Sequence, residues 1–169
     1  MRSVDTTARF PEAPKGRQAI IASDPDDTGV KREIRLALFE KAIDRLVSQR
    51  ESSDFVIFQL RGRSDSYVQY MLHDGALLCE VGSSGSFDGN GVLDKERVTA
   101  LGCLGLGGGG LRTNFTRDHL PHDARRLACL TELLLGAAYR PAPDFDVIVL
   151  TKSVIEAAAA TRRSHAVDS

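Results

Sequence analysis

Apolar residues recur at spacings of three and four from Glu33 onward. Leu36, Phe39, Ile43, Leu46 and Val47 share one stripe, while Glu33, Arg35, Glu40, Lys41, Asp44 and Arg45 mostly fall elsewhere. This periodicity predicts an amphipathic helix running to about Arg50. Three apolar runs of strand length follow: Phe55 to Leu60, Tyr67 to Leu72 and Ala76 to Val81. The first break holds Gly62 and Asp65, and the second is His73-Asp74-Gly75, in which Asp-Gly is a tight-turn signal. An antiparallel meander is the simplest arrangement of the three.

Beyond the Ser/Gly-rich stretch 82–91, Asp94 is placed to cap a helix that includes Val98 and Leu101 and that Gly102 and Gly105 weaken. Gly107 to Gly110 reads as a flexible connector, because glycine surrenders the most backbone freedom on ordering. A long helix is predicted over about Pro121 to Tyr139, with Ala124, Leu127, Ala128, Leu134, Leu135 and Ala138 as its buried stripe. Pro141 and Pro143 stop it. Phe145 to Leu150 reads as a further strand and Val154 to Ala160 as a short helix. The chain thus divides into a flexible arm over residues 1–30, in which Ile20 and Ile21 are the docking candidates, a single α+β domain over 31–150, and a short helix with a polar tail over 151–169.

Strand alternation makes the meander apolar on both sides. Val56, Phe58 and Leu60 alternate with Phe55, Ile57 and Gln59; Val68, Tyr70 and Leu72 with Tyr67, Gln69 and Met71; Leu77, Cys79 and Val81 with Leu78 and Glu80. One face is expected to hold the helices. The other, provisionally Phe55, Ile57, Tyr67, Met71 and Leu78, needs a cover: the chain's own terminal segments, a second subunit, or a client chain.

Composition narrows the classes. With 169 residues, 42% hydrophobic and 27% charged, the chain fits one globular domain. A net charge of −1 supplies no basic excess for nucleic-acid phosphates. No apolar stretch of about 20 residues is present to span a membrane, and Met1 to Phe10 lacks the apolar core of a signal peptide. Three cysteines without a Cys-x-x-Cys pair read as reduced thiols acting as small apolar side chains, which points to the cytoplasm.

Site chemistry is sparse. Gly105 to Gly110 matches Gly-x-Gly-x-x-Gly in letters, but it follows a helix instead of a strand, so no nucleotide cofactor is expected. His119 and His122, flanked by Asp118 and Asp123, lack a third ligand for a catalytic metal; a small enzyme using them is the alternative reading. Cys79 lies in an apolar strand register and reads as inert. Ser83, Ser84 and Ser86 do not form a Gly-x-Ser-x-Gly elbow. Arg61, Arg63, Arg125 and Arg126 are candidates for an anion-facing patch, although scattered arginines are more often a solvated surface.

The order of elements carries a resemblance. Phe55 to Leu60, Tyr67 to Leu72, Leu77 to Ser84, Leu101-Gly102 and Asn114-Phe115 with Arg117 resemble the bacterial TY-Chap domain family over about residues 33–140. That family looks like the YbjN and type III secretion class I chaperone fold. The resemblance implies an antiparallel meander sheet with flanking helices, frequent homodimerisation, and binding of an extended polypeptide client without catalysis or a cofactor. Cys103, at a position often aromatic in such domains, and the glycine run depart from it. A toxin-neutralising immunity protein or other adaptor is a further alternative.

Overall fold

The computed structural model describes residues 25–49, 54–83, 93–109 and 113–158. In chain order these form α1 (Pro25–Gln49), β1 (Phe55–Leu60), β2 (Tyr67–His73), β3 (Ala76–Val81), α2 (Lys95–Cys103), β4 (Gly107–Gly108), β5 (Phe115–Leu120), α3 (Ala124–Tyr139) and β6 (Val147–Thr151). A short helix, α4, spans 152–158. The fold is α+β. All six strands join one antiparallel sheet in the order β4-β5-β3-β2-β1-β6.

The meander forms as its alternation and turns require. Asp74 and Gly75 take left-handed φ values of 49° and 80°, which lets a two-residue turn match the twist of β2 and β3. Along β1, β2 and β3 every second residue is buried. Val56, Phe58, Val68, Tyr70, Leu77 and Cys79 form the floor of the core, and Phe39 and Ile43 of α1 with Leu134, Leu135 and Ala138 of α3 form its roof. Phe39 meets Phe58 edge-on at 4.8 Å between ring centroids. Such a pair contributes about 1 kcal/mol beyond its buried area. The Tyr70 hydroxyl donates to the Leu127 carbonyl at 3.3 Å and lies 3.1 Å from the Thr131 hydroxyl, so this polar group at the centre of the floor is matched from α3.

Several boundaries differ from expectation. α1 starts at Pro25, not near Glu33, and takes residues 25–30 from the predicted arm; proline's fixed φ suits a first helical turn. Residues 1–24, including Ile20 and Ile21, lie outside the described residues, as do 84–92 and 159–169. Gly107 and Gly108 are not a free connector: they pair with Thr116 and Phe115 as β4. A backbone ladder needs no side chains, and Gly109 next to it (φ +83°) lies where a Cβ would fall 2.1 Å from the Phe115 ring. α3 begins at Ala124, because the Asp123 carboxylate accepts the Arg126 N–H at 3.0 Å and caps it there. Asp94 caps α2 in the same way, at 2.9 Å from the Arg97 nitrogen.

Candidate partner-binding face

The face opposite the helices is built by cross-strand rows. Phe55, Met71 and Leu78 stand side by side across β1, β2 and β3. Ile57, Gln69, Glu80 and Thr116 form the next row, and Gln59 and Tyr67 the one after. β6 extends both of these, with Leu150 beside Ile57 and Ile148 beside Gln59. Every one of these side chains is half-buried. None of Phe55, Ile57, Tyr67, Met71, Leu78, Ile148 or Leu150 joins the core cluster or packs against it. The described helices α1 and α3 roof the other face. Phe55, at the margin, also lines a groove of about 300 Å³ with Ala42 and Arg45 of α1, Thr151 at the end of β6 and Lys152 at the start of α4.

Within the mixed row beside the apolar one, a carboxylate is fixed. Glu80 Oε1 accepts from the Asn114 side-chain amide at 2.7 Å and from the Tyr67 hydroxyl at 3.3 Å. Asn114 also donates to the Tyr67 oxygen at 3.0 Å, and its own carbonyl accepts the Ser83 N–H at 3.1 Å. Burial, followed by the nearby Glu80 charge, raises the Tyr67 pKa, so the phenol stays a donor at neutral pH. Glu80 Oε2 takes no hydrogen bond among the described residues. Among the described residues it is thus an open acceptor, set on a central strand.

The structure brings Phe55, Met71 and Leu78 into one row and places Ile57 and Tyr67 in the neighbouring two. Sequence reasoning missed Ile148, Leu150, Glu80 and Asn114 as members. Alternation in Val147–Thr151 was the available signal for the first two. Asn114 reaches Glu80 only because β5 inserts beside β3, a pairing no local pattern announces.

Other candidates separate. His119, at a left-handed φ of 55°, lies in the irregular stretch of β5 opposite Leu77 and Cys79, and it and His122 are exposed. Among the described residues no three His, Cys, Asp or Glu side chains converge as a metal-binding group. Cys79 is fully buried, and burial pushes its thiol up to about 12. Cys103 and Cys129 are exposed, because they fall on the outer sides of α2 and α3. Arg61 pairs loosely with Asp146 at 3.7 Å and Arg126 with Asp123 at 3.2 Å; they sit on different elements, the β1–β2 turn and the start of α3. No described helix is long and apolar enough to cross a membrane. Comparison with family models, with curated proteins and with solved structures gives no match.

Proposed function

We propose that this chain is a non-enzymatic, chaperone-like module that binds an extended protein segment on the second face of its sheet, working in the cytoplasm as a homodimer. The observation that carries the reading is the row Phe55–Met71–Leu78 with Ile57, Ile148 and Leu150: apolar, half-buried, and outside the core that the chain's own helices close. The resemblance to TY-Chap and secretion-chaperone-like domains points the same way. Glu80 adds the chemistry of the client. Its Oε2, on a carboxylate whose Oε1 is held by Asn114 and Tyr67 between the apolar row and the polar Gln69 and Thr116, favours a segment whose apolar residues flank a lysine or arginine.

The test compares wild type with an Ile57→Asp, Met71→Asp variant and with Glu80→Gln in affinity capture from the native host, read by mass spectrometry. The double variant is expected to lose its specific partners while keeping its circular dichroism, and Glu80→Gln to retain them more weakly with a reduced dependence on salt. Unchanged capture by a folded double variant would show that this face is not the site.

A further inference from the structure

The sheet has two edges of different character. β4, at one edge, is two glycines long. β6, at the other, is Val-Ile-Val-Leu-Thr, without charge, proline or glycine. Proteins commonly blunt such an edge with charged residues, prolines or bulges, or cover it. Among the described residues β6 pairs with β1 alone.

Backbone hydrogen bonds fix which groups of β6 point outward. The Arg61 N–H donates to the Asp146 carbonyl at 3.0 Å, continuing the β1–β6 ladder. Alternate residues of an antiparallel strand bond to the same neighbour. Asp146, Ile148 and Leu150 therefore turn their backbone groups toward β1, and Val147, Val149 and Thr151 turn theirs to the free edge.

Apolar side chains are also exposed on the two helices nearest this edge. Val30, Ile34 and Leu38 on α1 and Val154 and Ile155 on α4 make up five of the seven large apolar side chains exposed among the described residues. The α1 trio has four-residue spacing, and the next member of that series, Ala42, lines the groove with Thr151 and Lys152. Leu38, one turn from Ala42, therefore lies toward β6, while Val30 and Ile34 turn progressively to the outer side of α1.

We infer that two copies of the chain pair antiparallel through their β6 strands about a two-fold axis at Val149, joining two sheets into one. In this register Val149 opposes Val149 and Val147 opposes Thr151, so every outward-turned residue meets another and each such pair exchanges two hydrogen bonds. Ile148 then lies opposite Leu150. Asp146 of one copy comes beside Lys152 of the other, and symmetry repeats the contact at the far end. A second copy fits better than a foreign strand because hydrogen-bond parity, side-chain size and end charge are all self-complementary about one residue. The inference does not depend on what docks on the second face.

Light scattering coupled to size exclusion, on the full chain, tests it. Wild type is expected at twice the 18.3 kDa chain mass. Val149→Pro removes an outward N–H that β1 does not use, and should run as a monomer with its sheet retained. Asp146→Lys, which turns both end contacts repulsive, should raise the dimer dissociation constant by about tenfold or more. Adding Lys152→Asp to it should restore most of the loss, a rescue that holds even if the proline variant fails to fold. A monomeric wild type, a dimer indifferent to both Asp146→Lys and Val149→Pro, or a foreign chain paired to β6 in place of a second copy would each overturn the inference.

Discussion

Arg35 of α1 and Glu132 of α3 form a forked ion pair under the helix layer, with contacts of 2.7 Å and 3.3 Å between guanidinium and carboxylate. The same guanidinium lies 3.9 Å over the Phe145 ring and donates to the carbonyls of Phe145 and Pro143, each at 3.2 Å. Arg35 is 6% exposed. One side chain thus joins the two long helices and fixes the segment that leads into β6, so the edge proposed for self-association is set from inside the fold.

Removing one partner of that pair should cost more than removing both. Glu132→Ala leaves a buried guanidinium without its counter-charge, a loss of about 3 kcal/mol, toward the lower end for a broken buried pair because the Phe145 and Pro143 carbonyls remain as acceptors. The Arg35→Met, Glu132→Leu double variant should lose less than Glu132→Ala alone. Urea unfolding of the four members of the cycle measures the coupling.

Cys79 should make the protein sensitive to alkali. Its thiol ionises near 9 when unfolded but only at about 12 when folded. Above pH 9 the unfolded chain therefore sheds a proton that the folded chain keeps, so this contribution is intact below 9 and lost as pH climbs toward 12. The buried Tyr70 and Tyr139, also raised, add to the decline. Cys79→Ala should show a smaller fall in urea midpoint between pH 8 and pH 10 than wild type.

Thiol labelling should divide the cysteines by burial. Cys103 and Cys129 are exposed and should react with a disulfide reagent at once, whereas Cys79 should react only as the chain unfolds. Three rapid equivalents from the native protein would mean that the floor of the core is open.

Two glycines should respond in opposite senses to alanine. Gly136, inside α3, has nothing within 4 Å of a built Cβ. Gly136→Ala should stabilise by about 0.5–1 kcal/mol. Gly109→Ala would drive its methyl into the Phe115 ring at a positive φ, and should lower the melting temperature by prising β4 from β5.

How far these features were legible follows from where each residue's partner lies. β1 to β3 could be read directly, since alternation and the Asp74-Gly75 turn are local. Asp94 as a cap was readable for the same reason. The start of α1 was not, because Val30 and Ile34 face outward and leave no core-facing stripe there. β5 hid behind Arg117, Asp118 and His119, polar residues at the shifted register, where the stretch opposite Leu77 to Cys79 breaks the alternation. β4 carries no side chains to read. Of the second face, Phe55, Met71 and Leu78 were accessible through the meander, whereas Glu80 acquired a role only through Asn114, 34 residues away.

The clamp at the other end of the meander gives the last prediction. The Tyr139 hydroxyl lies 2.8 Å from the Gly82 carbonyl and 2.9 Å from that of Tyr67, its single proton shared between them. The Tyr67 carbonyl keeps the Gly82 N–H as a second donor at 3.2 Å, so Tyr139→Phe leaves chiefly the buried Gly82 oxygen without a partner. That loss should be about 1–3 kcal/mol, and each kcal/mol should lower the melting temperature by roughly 2–4 °C in a chain of this size. A cavity is not created, since the ring remains, and the urea m-value should hold while the midpoint falls. The Tyr139 pKa is raised by burial, so its stabilisation is complete below the unfolded phenol's pKa and lost as pH rises above it. Tyr139→Phe should therefore be less stable than wild type at pH 7 and close part of that gap at pH 11; a gap independent of pH would mean that the hydroxyl is not buried against these carbonyls.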